Sequence, residues 1–237
     1  MDQNSPRYWC VVPAAGVGAR MQQQQPKSYL PLLDKTVIEY TLNHLLAVPE
    51  IEQIVVVLAQ GDQIWSTLPI SQHTKITTAI GGQERCHSVC NGLTQLLAQQ
   101  AIQEDWVLVH DVARPCVSLQ DIQSLIQQCE NHAIGGLLAC PMVETVKQTN
   151  TSQQVICTLD RSQLWRAQTP QLFRIGLLQR ALQQSIHRAQ WVTDESHAIE
   201  LLGEQPLLVK GASDNIKITY PADLLLAESI LRSRLNH

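Results

Sequence analysis

Short apolar runs rich in β-branched residues alternate along the chain with segments whose apolar residues recur at helical spacing, and this alternation narrows the possible folds more than anything else in the sequence. The runs are Trp9–Val12, Ile54–Leu58, Lys75–Thr78, Trp106–Val109 and Gly136–Ala139. Each has strand length and no polar alternation, so each reads as a strand covered on both faces. Between them, Val37, Ile38, Thr41, Leu42, Leu45 and Leu46 are spaced as one face of a helix. So are Val89, Leu93, Leu96 and Leu97, and then Ile122, Leu125, Ile126 and Cys129. Strand–helix alternation demands right-handed crossovers, hence an α/β fold with a mainly parallel sheet and helices on both faces. Ligands of such sheets gather at the carboxyl ends of the strands.

The pattern breaks between about residues 142 and 160. Glu144–Gln148 and Val155–Leu159 alternate apolar with polar residues and are joined by the polar turn Asn150–Gln153, which predicts a β-hairpin standing off the sheet. Helices follow over about Gly176–Arg188 and Asp194–Leu202, then strands over Leu207–Lys210 and Ile216–Thr219. A last helix opens at Pro221, a residue suited to a first turn. At 237 residues the expectation is one domain over 1–237 with the hairpin arm as its only excursion.

A net charge of −4 argues against a general basic face for DNA or RNA, so any anion site must be local. Met1–Arg7 lacks the pattern of a secretory signal, and no stretch approaches the roughly 18 apolar residues of a membrane span. The seven cysteines are odd in number and scattered, which suits reduced thiols in a cytoplasmic protein. Cys86 and Cys90 lie four apart with His87 between them, but no second pair at metal spacing accompanies them, and buried thiols on a helix are the simpler reading. Gln22–Gln25 reads as a solvated loop.

The densest chemistry follows the first strand: Ala14-Ala15-Gly16-Val17-Gly18-Ala19-Arg20, then Pro26-Lys27. Small residues let main-chain N–H groups approach phosphate oxygens, and Arg20 and Lys27 supply charge. The loop has neither the third glycine of a dinucleotide fingerprint nor the Gly-Lys-Ser/Thr of a P-loop. Gly81-Gly82 ends a strand and opens a helix holding Glu84, Arg85 and Ser88; an ordinary helix cap is the bland alternative. Asp111 stands where the strand at Trp106 runs out, a place for a metal ligand or for a turn former. His110 beside it reads as structural.

Taken together, the loop from Ala14 to Lys27 resembles the signature of nucleotidyltransferases that activate sugars and polyols. Gly81–Arg85 with Ser88, Val109–Pro115, Asp160-Arg161, Gln168–Gln171, Thr193–Glu195 and Asn215–Thr219 resemble the methylerythritol phosphate cytidylyltransferase family in particular, in unchanged order from about Trp9 to Leu231. The resemblance implies a Rossmann-like nucleotidyltransferase sheet, CTP as co-substrate and Mg²⁺ held at Asp111. It implies that Ala14, Ala15, Gly16, Gly18, Arg20 and Lys27 bind the triphosphate, and that Gly82, Glu84, Arg85 and Ser88 read the base and ribose. Arg161 and Lys217 would hold the attacking phosphate of methylerythritol 4-phosphate, with Arg114, Thr145, Thr169 and Thr193 completing that site. It further implies a homodimer in which the arm crosses to the partner. On their own, Arg161 and Lys217 read more simply as surface ion pairs, for instance with Asp160 or Asp214.

Reaction at an α-phosphorus needs no protein nucleophile; position and positive charge suffice. Two departures from the family stand out. Ala19 replaces a second basic residue beside Arg20, and His197 replaces a small residue one turn after Thr193, a surface substitution on this reading. A ribitol 5-phosphate cytidylyltransferase and a non-catalytic CTP sensor are the alternative functions.

Overall fold

The computed structural model describes residues 7–16 and 25–235. Among the described residues, seven strands form one sheet: β1 (Tyr8–Pro13), β4 (Ile51–Leu58), β5 (Ile76–Ile80), β6 (Trp106–Val109), β7 (Gly135–Pro141), β10 (Trp165–Arg174) and β11 (Leu207–Lys210). Two short ribbons stand apart, β2 (Pro31–Leu32) with β3 (Lys35–Thr36), and β8 (Lys147–Thr149) with β9 (Val155–Thr158). Across the sheet the order is β11-β7-β10-β6-β1-β4-β5. Every neighbouring pair is parallel except those made by β10, which runs antiparallel to both β6 and β7.

Alternate residues of the central strands feed two cores. Cys10, Val12, Ile54, Val56 and Leu108 point to the face covered by α1 (Val37–Leu46) and α3 (Leu119–Cys129). Trp9, Val11, Val55, Val57, Val107 and Val109 point to the face covered by α2 (Arg85–Gln99), α4 (Ile175–His187) and α5 (Glu195–Glu200). Both sets are apolar because both faces are covered, the condition for a parallel sheet. A Cβ at Gly92 would lie 2.6 Å from a Val11 methyl, so α2 rests on β1 only because residue 92 has no side chain. A third cluster seats α6 (Pro221–Leu235), through Ala227 and Leu231, against Leu30, Leu32, Cys116 and Ile218.

Local sequence sets the ends of these helices. Thr36 and Glu39 form a reciprocal capping box at α1, Ser118 accepts from the Asp121 N–H at α3, and Asp194 accepts from the His197 N–H at α5.

The structure departs from the sequence expectations at three places. Ile216–Thr219 forms no strand and joins no sheet; Ile218 is buried under α6, and its N–H donates to the Ala113 carbonyl at 2.8 Å. The apolar alternation there reflects packing of one side on α6, which imitates a strand pattern. No strand is expected between Arg161 and Ile175, yet β10 occupies Trp165–Arg174 at the centre of the sheet. Pro170 removes a ladder donor and Gln168, Thr169 and Gln171 interrupt the apolar run, and the register with β7 shifts between Ala167 and Gln171. In the arm, pairing begins at Lys147 instead of Glu144.

Strand order reverses at β1, with β4 and β5 on one side and β6 on the other. Loops leaving the carboxyl ends of β1 and β6 diverge there, and the crevice between them is the place where such a sheet receives a ligand.

Candidate active site

At the end of β6 the chain enters His110 and Asp111, both buried. His110 Nε2 lies 3.1 Å from the Arg114 carbonyl, which can only accept, so Nε2 carries the hydrogen. His110 Nδ1, 3.1 Å from the Thr169 hydroxyl, therefore accepts from it. The same hydroxyl accepts the Asp111 N–H at 3.0 Å. Burial pushes His110 down to about 4, in keeping with the neutral ring this network requires. His110 is structural, as its sequence context suggests, and Thr169 on β10 is the clamp between it and the Asp111 main chain.

The Asp111 carboxylate is surrounded by cations. Lys217 Nζ is 2.7 Å away, the Arg85 guanidinium 3.0 Å and Arg114 Nε 3.9 Å. Burial alone would raise its proton affinity, but the charges of Arg85 and then Lys217 hold it well below the usual carboxylate range. Arg85 in turn grips Glu195 on α5 with both terminal nitrogens, one at 3.0 Å. Glu195 has no solvent exposure. Burial pushes its carboxyl up, opposed by Arg85, while burial's tendency to lower Arg85 is overcome by Glu195 and Asp111, which hold it protonated. Arg114 also donates to the Asn215 carbonyl at 2.7 Å, and Asn215 donates to the Thr169 carbonyl at 2.9 Å.

This cluster forms one wall of a cavity. Ala15 and Gly16 after β1, Lys27, Gly82, Glu84, Arg85 and Ser88 at the start of α2, Asp111 and Lys217 all line it. Ser88 Oγ accepts the Gly82 N–H at 3.2 Å and donates to the Glu84 carbonyl at the same distance, fixing the entry to α2. A Cβ at Gly81 would come 2.4 Å from the Ala15 Cβ, so the two glycine turns can touch only without one. Lys27 donates to the Ile218 carbonyl at 3.1 Å, which ties the first loop to the segment carrying Lys217. Two carboxylates against Arg85, Arg114 and Lys217 leave a net positive wall, to which Lys27 adds. Such a cavity suits a polyanion. Asp111, ionised and lining it, is the carboxylate that could also hold a hard cation together with phosphate oxygens.

Other expected residues lie elsewhere. Gly18 and Arg20 fall outside the described residues. Ala14 faces the core, with its N–H on the Val57 carbonyl at 2.8 Å. Arg161 sits at the foot of the arm, donating to the Val143 carbonyl, and Thr145 is exposed on the arm. Thr193 is exposed just before α5. None of these three lines the cavity. His197 is more than a surface substitution: its Nδ1 accepts the Thr193 N–H at 3.3 Å and lies 3.4 Å from the Thr193 hydroxyl.

Glu195 had no expected role. Its signal was available, because it shares a helix face with buried Ala198 and Ile199, and a carboxylate on an apolar stripe is seldom buried without a partner.

Comparison with known proteins gives a consistent result. The family model described as 2-C-methyl-D-erythritol 4-phosphate cytidylyltransferase matches residues 9–233. A protein of that name from Hahella chejuensis is 48% identical over 226 residues, covering 95% of this chain and 93% of its own. One from Mannheimia succiniciproducens is 47% identical over 231 residues, covering 98% and 99%. Among solved structures, a 4-diphosphocytidyl-2C-methyl-D-erythritol synthase superposes with a TM-score of 0.82 at 36% identity, covering 96% of this chain and 99% of that one. The Francisella tularensis 2-C-methyl-D-erythritol 4-phosphate cytidylyltransferase gives 0.81 at 36% identity, covering 94% and 99%. The crevice at β1 and β6, with its buried carboxylate among cations, thus sits on the scaffold of these enzymes, and the chain belongs to the 2-C-methyl-D-erythritol 4-phosphate cytidylyltransferase family.

Proposed function

We infer that the chain transfers CMP from CTP to 2-C-methyl-D-erythritol 4-phosphate, releasing pyrophosphate, a step of non-mevalonate isoprenoid synthesis. A phosphate oxygen of the acceptor forms a bond to the α-phosphorus of CTP. The bond from that phosphorus to the bridging oxygen breaks, and pyrophosphate leaves with the electron pair. The observation that carries this reading is Asp111, ionised at a strand end and lining one cavity with Lys27, Arg85 and Lys217.

In this proposal Ala15 and Gly16 offer main-chain donors to the triphosphate, and Lys27, with Arg20 from the same loop, offsets charge that builds on the departing pyrophosphate. Gly82, Glu84, Arg85 and Ser88 form the side that meets base and ribose. Asp111 would hold Mg²⁺ with substrate oxygens, the metal supplying further charge neutralisation when bound. Lys217, whose Nζ lies 2.7 Å from Asp111, would hold the attacking phosphate of the acceptor. Thr169 contributes by holding Asp111, since its hydroxyl is already committed within the chain.

Arg161 and Thr145, and with them the exposed Val143, Val155 and Ile156 of the arm, support a homodimer in which the arm completes the partner's acceptor site. No helix among the described residues is long and apolar enough to cross a membrane. All seven cysteines are unpaired, which supports a cytoplasmic setting.

The test is pyrophosphate release with CTP, Mg²⁺ and either methylerythritol 4-phosphate or ribitol 5-phosphate. Release with the first in preference to the second is expected. A preference for ribitol phosphate would replace the acceptor, and binding of CTP with no release in either mixture would leave a nucleotide sensor.

A further inference from the structure

At the first turn of α2, three side chains of different donor chemistry converge. Cys86 Sγ lies 3.8 Å from a Glu84 carboxylate oxygen and 3.8 Å from His87 Nδ1, and the three donor atoms lie within 4.8 Å of one another. Bonds of about 2.0–2.3 Å to a tetrahedral ion place its donors roughly 3.4–3.6 Å apart. A contraction of a few tenths of an ångström in the two sulfur pairs, with a somewhat larger one between Glu84 and His87, would seat the three on one ion. The backbone at Gly82 passes close to His87, where a Cβ on residue 82 would lie only 2.4 Å from the His87 Cβ. Cys86 is almost wholly covered, while Glu84 is exposed and belongs to the cavity lining.

We propose that Glu84, Cys86 and His87 form a binding site for a thiophilic divalent cation of the zinc class at the rim of the cavity, and that filling it weakens nucleotide binding. Sulfur, nitrogen and oxygen donors together favour zinc or cobalt over magnesium, which seeks oxygen alone. Three protein ligands leave a fourth position for water. Binding forms bonds from the ion to the sulfur, the imidazole nitrogen and one carboxylate oxygen, and the thiol proton goes to solvent. Glu84 lines the cavity, so an oxygen committed to the ion is no longer free to accept a hydrogen bond from the nucleotide. Occupancy of the site stands on the side-chain geometry alone. Its effect on nucleotide rests on the reading of the cavity as the CTP site.

The full-length protein, stripped of metal with a chelator, should bind Co²⁺ with a near-ultraviolet thiolate-to-cobalt band that saturates at one equivalent and disappears when Zn²⁺ is added. Cys86→Ser should abolish the band and His87→Asn should weaken it, while both variants keep wild-type turnover with Mg²⁺, which shows them folded. Absence of the band in the wild type overturns the site, as does its persistence in Cys86→Ser. For the second half, Zn²⁺ should raise the CTP Kd of the wild type several-fold, measured by calorimetry, and leave that of the two variants unchanged. An equal rise in all three proteins would trace the effect to zinc chelated by the nucleotide and overturn the inhibitory role. If CTP fails to bind under any condition, the cobalt result still decides the site, and it is the function proposed for the cavity that falls.

Discussion

The wall around Asp111 and the arm built from β8 and β9 both carry residues expected to handle phosphate, and they could hardly be held more differently. Asp111, Glu195, His110 and Thr169 are buried, each with partners from other parts of the sequence. Every residue of β8 and β9 is exposed, and Arg161 and Thr145 at the arm's foot make no contact with the cavity within their own chain. A buried charge needs its partners in place before it can persist, so the first group is organised by folding alone. Exposed charges carry no such requirement; Arg161 rests on a main-chain carbonyl of the arm itself, and the second group reaches a ligand only where the arm meets one.

If the difference is real, changes in the wall should disturb the fold itself. The largest effect is expected for Glu195→Ala, which leaves Arg85 facing inward with only Asp111 for company. A loss of about 3–5 kcal/mol in denaturant unfolding is expected. A loss below about 1 kcal/mol would show that Arg85 finds water easily and that the wall is no more fixed than the arm.

Next comes Lys27→Ala, expected to lower turnover by about 10²–10³ at saturating substrates while stability changes little. A fall of less than about tenfold in pyrophosphate release would place Lys27 outside the reacting region.

His110 gives the wall a pH dependence that the arm lacks. Its folded value of about 4 lies below the roughly 6.5 of an unfolded histidine, so the unfolded chain binds the proton more readily. The stability it contributes is complete above about pH 6.5 and is lost as pH falls toward 4, amounting to about 2 kcal/mol between pH 7 and 5. His44, also lowered by burial, acts in the same direction, so the measurement is the difference in slope between wild type and His110→Gln. Identical slopes would mean that the ring is not kept neutral.

The smallest structural effect belongs to the arm. Arg161→Ala should leave stability within about 0.5 kcal/mol, as for most surface changes. It should nevertheless raise the acceptor KM roughly tenfold and lower turnover, with CTP affinity unchanged. A selective loss of CTP binding would move Arg161 from the acceptor side to the nucleotide side and erase the contrast.

The central strands and the helices α1 to α6 were legible in the sequence because burial on both faces of a parallel sheet forces unbroken apolar runs, and one-sided burial forces helical spacing. The strand-end motifs, together with the family resemblance, named Asp111, Lys27, Gly82, Ser88 and Lys217, and all five line one cavity. β10 was not legible, since its polar residues and Pro170 contradict strand chemistry and are satisfied only by groups distant in sequence, such as Asp194, which accepts from Gln171 at 2.8 Å. The segment Ile216–Thr219 misled for the converse reason, a strand-like alternation produced by packing against a helix.

Local chemistry in the sequence, then, determined which segments become strands and helices, which strand ends bear reactive side chains and where the glycine turns fall, because those properties depend on neighbours a few residues away. Only the tertiary structure decided that Glu195 secures Arg85, that Thr169 and His110 clamp the Asp111 main chain, and that Glu84, Cys86 and His87 point their donors at one another. Such pairings are set by the crossing of segments as far apart as Arg85 and Glu195, or by rotamers that the surrounding packing selects, and neither leaves a periodic trace in the chain.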